Sequence, residues 1–533
     1  MAATYDSSTY DSSTYDSLGK VGLPEPVSQL AARPWDAVVV GGGHNGLTAA
    51  AYLAIAGKSV LVLEAKERLG GACTLDTPFT DERFLISPCA YLVGLLHPRV
   101  IEELDLERFG YRTFRVDPSQ WTPFEDGTSL FQWDDPKRSA AAVRAIAPQE
   151  VDGFMAYEDL FVRIRDRLRS GPRGDVWLGD SPDQAALEEL FADDREAAEV
   201  IFGASIADVV EAHVRDERLQ AALHGQGVIG TFAGPRDPGT AWVHAHHSLG
   251  LIGGWGFVEG GMGRVSFCLA DAAQEAGAVI AAGVTVAEIL PGEGVRLESG
   301  EIIIASAVIS NADPVKTEKL LGAASSPSFS AQVASWSITS PVIKLNCALD
   351  RLPTFTAAPN DSTIFNAQVE IARSIDLTQA ACDTAREGGV QPEWCELYFQ
   401  TPYDPSIAPP GKHVMSIFAQ YVPYTLAEGT WDSRREEIGD QVIATIARFA
   451  PDVADCVTAR QVLGPPDVEE QVGLTGGHIF QGEILPEQMW EKRFTPRTGN
   501  AGVYLCGAAT HPGGSVMGVN GRNAAMAVLA DSK

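Results

Sequence analysis

The run Ala37-Val38-Val39-Val40-Gly41-Gly42-Gly43-His44-Asn45-Gly46 constrains this chain more than any other segment. Four apolar residues lead directly into a glycine-rich turn, and Leu47 to Ala56 is apolar, alanine-rich and of helical length. Gly57 stops that helix, and a second apolar strand, Ser59 to Leu63, ends on Glu64, 18 residues past Gly46. Strand, glycine turn, helix, strand and acid in this order form a dinucleotide-binding βαβ unit in its required context. Gly41 permits the tight turn, Gly43 admits a pyrophosphate to the backbone, and Gly46 lets helix and strand approach. The pyrophosphate is expected at the positive helix N-terminus. Glu64 is placed to accept hydrogen bonds from a ribose diol. His44 and Asn45 sit inside the same loop, where backbone or phosphate contact is expected of them.

Two further glycine clusters extend this site. Arg68-Leu69-Gly70-Gly71-Ala72 follows the ribose acid and lets the backbone run close to phosphates and beyond, which a plain nicotinamide unit does not generally need. At the far end, Val503 to Cys506 reads as a strand, Gly507 to Gly518 as a glycine-rich loop, and Val519 to Leu529 as a helix. Loop amides and a helix dipole there suit negative charge on a reduced flavin. The combination points to FAD.

Bulk properties narrow the class. The 533 residues suffice for two or three domains. A net charge of −30 with no Lys/Arg stripe excludes a nucleic-acid partner and leaves at most peripheral membrane contact. No apolar run has the length of a membrane span, and the N-terminus lacks the basic and apolar regions of a signal peptide, so a cytoplasmic protein is expected. The eight cysteines form no C-x-x-C pair and no zinc spacing, which points to scattered reduced thiols and no metal site. Oligomeric state has no signature in the sequence.

Along the chain, residues 4–17 repeat Thr-Tyr-Asp-Ser-Ser, and residues 1–33 are expected to form a disordered tail. The nucleotide domain is expected in three pieces, 34–115, 251–324 and 486–533. In the middle piece Asp271 to Ala276 and its flanks read as an amphipathic helix. The segments Val284–Ile289, Val295–Leu297 and Ile302–Ile309 read as a β-meander that ends at Ser310-Asn311. A substrate domain is expected from 116–250 and 325–485. It should carry helix formers over Pro182 to Ala212, strands at Val342–Leu349 and Val414–Tyr421, and a helix over Arg434 to Ala450. The expected fold class is α/β, a Rossmann-like FAD domain with an inserted α+β substrate domain.

The blocks Val38 to Ala72, Gly260 to Ala278, Val308 to Pro314 and Gly502 to Ala525 resemble the phytoene-desaturase-like branch of FAD-dependent oxidoreductases, within the glutathione-reductase/amine-oxidase fold group. Three segments resemble the type called pyridine nucleotide-disulphide oxidoreductase domain-containing protein 2: Ser87 to Leu92, Gly476 to Glu483, and His511 to Gly518 with Gly521-Arg522-Asn523. The resemblance implies noncovalent FAD and hydride transfer at flavin N5. It assigns Gly41, Gly43 and Gly46 to the pyrophosphate, Glu64 and Lys66 to the adenosine ribose, and Gly70, Gly71 and Ala72 to the phosphate and flavin path. Val286 falls where backbone meets adenine, and Asn311 joins the cofactor set. Gly507 and Ala508 fall at the ribityl or phosphate, with Ala508 standing where the family commonly has an acid. Val516 and Met517 begin the helix aimed at the flavin pyrimidine.

The implied activity is hydride transfer between flavin N5 and a carbon of an apolar, polyene-type substrate, as desaturation or C=C reduction, in natural product biosynthesis. An NAD(P)H-dependent reductive cyclase of a polyene and a flavin amine oxidase stand as alternatives. Only one complete dinucleotide fingerprint is visible, so NAD(P)H would be at most a transient donor. For proton transfer the sequence offers His478 first, Glu483 as its orienting partner, and His511. His244, His246 and His247 lie close together without further metal ligands and read as cavity lining or packing.

Overall fold

The structure is a computed structural model, and it describes residues 17–250 and 255–532. The first strand, Trp35–Val40, lies at the centre of a parallel sheet. It pairs with Val60–Glu64 on one side and with Ile302–Ser310 on the other. Val279–Ala282 extends the sheet beyond Val60–Glu64, and Val503–Leu505 pairs parallel with the end of Ile302–Ser310. Strands distant in sequence therefore meet in one sheet. They are apolar runs largely buried on both faces, as parallel sheets require, except that Ile302–Ser310 alternates exposed and buried residues up to Ser306, where it belongs to the antiparallel meander. The meander Val286–Leu290, Gly294–Leu297 and Ile302–Ser310 is antiparallel and grows out of the same sheet through its last strand.

The helix His44–Ile55 is buried along most of its length. It packs between the helices Gly263–Glu275 and Val519–Asp531. Small residues make that contact possible: a Cβ on Gly521 would lie 2.1 Å from the Asn45 carbonyl oxygen. The C-terminal helix is thereby locked onto the phosphate-loop helix.

A second sheet of seven strands runs in the order Val457–Leu463, Val342–Leu349, His413–Gln420, Trp394–Phe399, Gln368–Ile371, Gln120–Pro123, Ser129–Gln132. Two of its strands come from the first insertion and five from the second, and their register interleaves Gln368 and Val369 with Gln120 and Trp121. One face packs on an apolar core built from Ile343, Leu345, Leu397, Ile417 and the helix Trp431–Ala447. The other face carries Lys344, Glu396 and Phe418 in one cross-strand row. Helices 136–248 close over this second face with a large core of their own. The stretch read as helix-forming, Pro182 to Ala212, holds three helices: Gln184–Leu190, Arg195–Phe202 and Ile206–His213.

The expected tail needs correction. Residues 17–33 are structured: Val21 N donates to Glu67 O at 2.9 Å and Leu69 N donates to Gly19 O at 2.9 Å. Val21 and Leu30 are buried, and Val27–Leu30 forms a helical turn. The polar repeat is confined to residues up to 17, so composition stops predicting disorder at Leu18, where apolar side chains return. Apart from Ser17, the repeat lies outside the described residues. Among the described residues no helix is long and apolar enough to cross a membrane, and no group of His, Cys, Asp or Glu forms a metal site. All eight cysteines are free thiols.

Candidate active site

One cavity of about 1220 Å³ runs from the glycine loop to the polar row of the second sheet. Small-molecule pockets span roughly 300–1,000 Å³, so this space exceeds what one drug-sized ligand fills. Gly41, Gly43, His44, Asn45, Glu64, Lys66, Gly70, Gly71, Ala72, Val286, Asn311, Ala508 and Val516 all line it. Three of the expected cofactor residues do not. Gly46, Gly507 and Met517 are buried just behind the wall and act through packing.

The glycines are dictated by contact. A Cβ on Gly43 would sit 2.7 Å from Asn311 Nδ2, and one on Gly46 would sit 2.3 Å from the Gly41 carbonyl oxygen. A Cβ on Gly507 would meet Gln481 Oε1 at 2.3 Å. Gly43 caps the helix His44–Ile55 without any side-chain hydrogen bond, so the first backbone N–H groups are left to an external acceptor. Two buried polar atoms at this spot, His44 Nε2 and Asn45 Oδ1, have no hydrogen-bond partner among the described residues. Burial pushes the His44 imidazole down to about 4, so it stays neutral near pH 7 and serves as a hydrogen-bonding group. Open helix N–H groups, an unpartnered His44 ring nitrogen able to donate, and a cradle that a Cβ would fill are what a pyrophosphate needs, so a dinucleotide fits.

Glu64 is held rigidly. Its Oε2 accepts from Gly42 N at 2.7 Å and its Oε1 from Lys66 N at 2.8 Å. Burial raises its carboxyl, while the Lys66 and Gly42 amides act in the opposite direction. Lys66 borders the cavity, but its ammonium donates to the carbonyls of Gln471 and Glu470, capping the C-terminus of the helix Pro465–Val472. It thus ties the first strand pair to a segment some 400 residues away.

The catalytic candidates are placed differently from expectation. His478, Glu483 and His511 are all buried, and none lines the cavity. His478 and Glu483 do come together, with Nε2 and Oε1 3.7 Å apart. Glu483 accepts from Thr231 Oγ1 and from Phe232 N, each at 2.7 Å. Burial pushes the Glu483 carboxyl up, but the neighbouring His478 and the hydrogen bonds from Phe232 and Thr231 outweigh this and leave it lowered. The pair therefore fastens the wall segment 478–483 to the first insertion. His511 Nε2 bonds to the Val176 carbonyl at 2.7 Å, and burial lowers its imidazole to about 4. Glycines and aromatics around these residues were legible in the sequence. Which way each side chain turned was not.

The histidine cluster separates in the same way. His247 lines the cavity, His246 Nε2 bonds to Gly514 O at 2.9 Å, and His244 stacks on Phe161 at 3.9 Å.

Groups that sequence reasoning did not single out occupy the cavity instead. Lys344 is 3% exposed, donates to Asn346 Oδ1 at 2.6 Å, and lies 4.5 Å from the centre of the Tyr91 ring. Burial pushes its ammonium down to about 7. Glu396 is 3% exposed and sits across Phe418 from Lys344. Burial pushes its carboxyl up to about 8. Tyr91, Tyr398, Phe418, Trp255, Ile229 and Phe480 complete an apolar and aromatic wall. Gln481 joins three pieces of chain: Oε1 accepts from Ala509 N at 3.2 Å and Nε2 donates to Asn311 O at 3.4 Å. Gln481 (φ 54) and Ser515 (φ 138) hold positive φ without being glycine, a strain found at ligand clamps. The only sequence signal for Lys344 and Glu396 was a charge inside an otherwise apolar strand.

A phosphate-loop βαβ unit, an open helix N-terminus and a C-terminal glycine loop over one large cavity define a flavoprotein oxidoreductase of the amine-oxidase fold type. The chain belongs to the family described as flavin containing amine oxidoreductase, whose model matches residues 46–529. Among curated relatives it is 34% identical to mouse (Mus musculus) pyridine nucleotide-disulfide oxidoreductase domain-containing protein 2, over 94% of each chain. It is 25% identical to a lycopene-forming phytoene desaturase of Pseudescherichia vulneris, over 90% of this chain and 96% of that one. A putrescine oxidase redesigned at its cofactor site superposes with a TM-score of 0.59 at 16% identity, covering 93% of this chain and 99% of the other, which speaks to the fold alone.

Proposed function

We propose that the chain is an FAD-dependent oxidoreductase that moves hydride between flavin N5 and a carbon of an apolar, polyene-type substrate, by desaturation or C=C reduction. The observation that carries this reading is the single cavity: its glycine-loop end fits a dinucleotide, and its other end is walled by Tyr91, Tyr398, Phe418, Trp255 and Phe480. Bound flavin would supply two-electron hydride chemistry. Gly41, Gly43 and the helix N-terminus hold the pyrophosphate, Glu64 holds the ribose diol, and Ala508 and Val516 face the flavin end. The aromatic wall orients the substrate and excludes water. In this reading residues 34–115, 251–324 and 486–533 bind the cofactor, and the inserted segments bind substrate.

The phytoene desaturase relative supports C–C chemistry, and the redesigned putrescine oxidase keeps amine oxidation in play as a property of the fold group. The Tyr91 ring argues for a neutral substrate, because its face already holds the protein's own ammonium, Lys344, at 4.5 Å. A substrate ammonium would find that face already occupied by the Lys344 amine. The test is anaerobic photoreduction of the FAD-loaded protein, followed by mixing with NADPH, conjugated polyenes, 2-cyclohexenone and benzylamine. Flavin reoxidation by an alkene acceptor, or reduction of oxidised enzyme by a polyene precursor, is expected. A flavin spectrum that responds to benzylamine and to no alkene would refute the reading. A protein that takes up no FAD would remove its basis.

A further inference from the structure

We propose that Glu396, backed by Glu370, is the group that gives and takes the proton accompanying hydride transfer in this cavity. The inference rests on the proposed function and extends it to the acid–base partner, a role for which the sequence suggested His478.

The geometry is specific. Glu396 lines the cavity from the row Lys344–Phe418–Glu396 of the second sheet. One oxygen is clamped: Oε1 accepts from Gln368 Nε2 at 2.6 Å and from Gln226 Nε2 at 2.9 Å. The other, Oε2, has a single long contact, the Tyr398 hydroxyl at 3.4 Å. Two amide donors fix the plane of the carboxyl and leave its second oxygen available. Glu370 stands directly opposite on the neighbouring strand. Its Oε1 accepts from Trp394 Nε1 at 3.3 Å, and its Oε2 has no hydrogen-bond partner among the described residues. Gly225 makes room for it, since a Cβ there would lie 2.2 Å from Glu370 Oε1.

Two adjacent carboxyls in a dry site do not both ionise. Burial raises both, and the charge of Glu396 raises Glu370 further. The titratable groups around the pair are Lys344 on the far side of Phe418, Tyr398 on the same strand, Tyr91 and His247 across the cavity, and Tyr157 behind Glu370. Of these only Lys344 brings positive charge, and neighbouring strands are roughly 4.8 Å apart, which puts it about 10 Å away along the row. Glu396 is consequently a neutral acid near pH 7 that can ionise at modest cost.

The chemistry balances. In desaturation one substrate C–H bond gives up hydride to the bound flavin, which is reduced. The electron pair of the neighbouring C–H bond becomes the π bond of the product, and its proton forms an O–H bond on Glu396, which enters this direction as the carboxylate after releasing its own proton to solvent. In reduction hydride arrives from reduced flavin at one carbon, and the Glu396 O–H bond breaks to protonate the other.

The test uses the FAD-loaded full chain. Infrared difference spectra are recorded on anaerobic photoreduction in H₂O and D₂O for wild type, Glu396→Gln, Glu370→Gln and Glu396→Asp. Wild type is expected to show a D₂O-sensitive carboxylic acid band that responds to flavin reduction. That band should be absent in Glu396→Gln and shifted in Glu370→Gln. If Glu396→Gln fails to load FAD, Glu396→Asp should shift the band instead. An unchanged band in the Glu396 variants overturns the assignment while leaving the flavin reading intact. With any alkene that turns over in wild type, Glu396→Gln should be slower by about 100-fold or more, and His478→Gln by less than about tenfold. Equal rates for wild type and Glu396→Gln overturn the assignment. Failure of every alkene overturns the proposed function instead, and with it the acid–base role that rests on it.

Discussion

Replacing Arg493 by Met should loosen the wall between cofactor and substrate sites, and the expected size can be worked out from its bonds. The guanidinium is 1% exposed and donates to five backbone carbonyls. Those of Glu483 and Ala508 lie at 2.8 Å, that of Phe480 at 3.2 Å, and those of Thr510 and Gln488 at 3.3 Å. Burial lowers the group from 12.5 to about 9, which corresponds to about 5 kcal/mol disfavouring the charged form. The two short bonds return about 3–6 kcal/mol at roughly 1.5–3 each, so the buried charge roughly breaks even. The cost of Arg493→Met therefore comes from the carbonyls left unpaired, at about 1–3 kcal/mol each. With at least two of them sealed from water, a net loss of about 3–5 kcal/mol is expected. Arg493 ties the wall residue Phe480 to the flavin-end residue Ala508, so FAD affinity should fall about 10–100-fold, equivalent to about 1.4–2.8 kcal/mol. Urea midpoints and FAD fluorescence titration measure both quantities. Arg493→Lys, which keeps charge but loses the planar fork, should fall between. A Met variant with wild-type midpoint and full FAD content would refute the reasoning.

Four other outcomes are expected. Gly46→Ala puts a Cβ 2.3 Å from a backbone oxygen and should abolish FAD retention, read as the flavin-to-protein absorbance ratio, whereas Gly22→Ala, with open space around it, should leave the ratio unchanged. Glu396 holds its proton up to about 8 in the fold but only to about 4.5 when unfolded, so between those values the native state binds more protons and stability falls as pH rises. Glu396→Gln should flatten that slope, by up to about 5 kcal/mol across the window, in unfolding scans at pH 5 and pH 8. Lys344 runs in the opposite sense: lowered from 10.5 to about 7, it makes stability rise with pH over that interval, and Lys344→Met should remove the rise. His511→Asn should leave the rate of flavin reduction within about tenfold of wild type, below the roughly 10²–10⁴-fold loss expected on removing a general acid or base, as stopped-flow absorbance would record.

The local grammar of the chain carried the glycine-loop end of the cavity. Strand, glycine turn, helix and acid are contiguous, and Gly41 by its positive φ and Gly46 by its approach to the Gly41 carbonyl are required within the turn itself, so the pattern was legible without a fold, although the side chain that excludes a Cβ at Gly43 is the distant Asn311. The same holds for the C-terminal loop, whose helix packs against the phosphate-loop helix through Gly521. The tail boundary was misplaced because low-complexity composition was extended past residue 17 into a segment that buries Val21 and Leu30. His478, Glu483 and His511 were chosen by residue type beside glycines, yet their side chains are buried away from the cavity: Glu483 accepts from Thr231 and Phe232, His511 bonds to the Val176 carbonyl, and His478 accepts from the Phe480 amide.

What the sequence determined by itself was the glycine-loop end of the cavity, because its parts lie within a few residues of one another and their spacing encodes their geometry. What only the tertiary structure decided was the substrate face. Lys344, Phe418 and Glu396 become neighbours through strand register across more than 70 residues of chain, and Glu370 and Gln226 reach Glu396 from separate elements. Burial then sets their protonation, since a carboxyl or ammonium shifts only when folding removes its water.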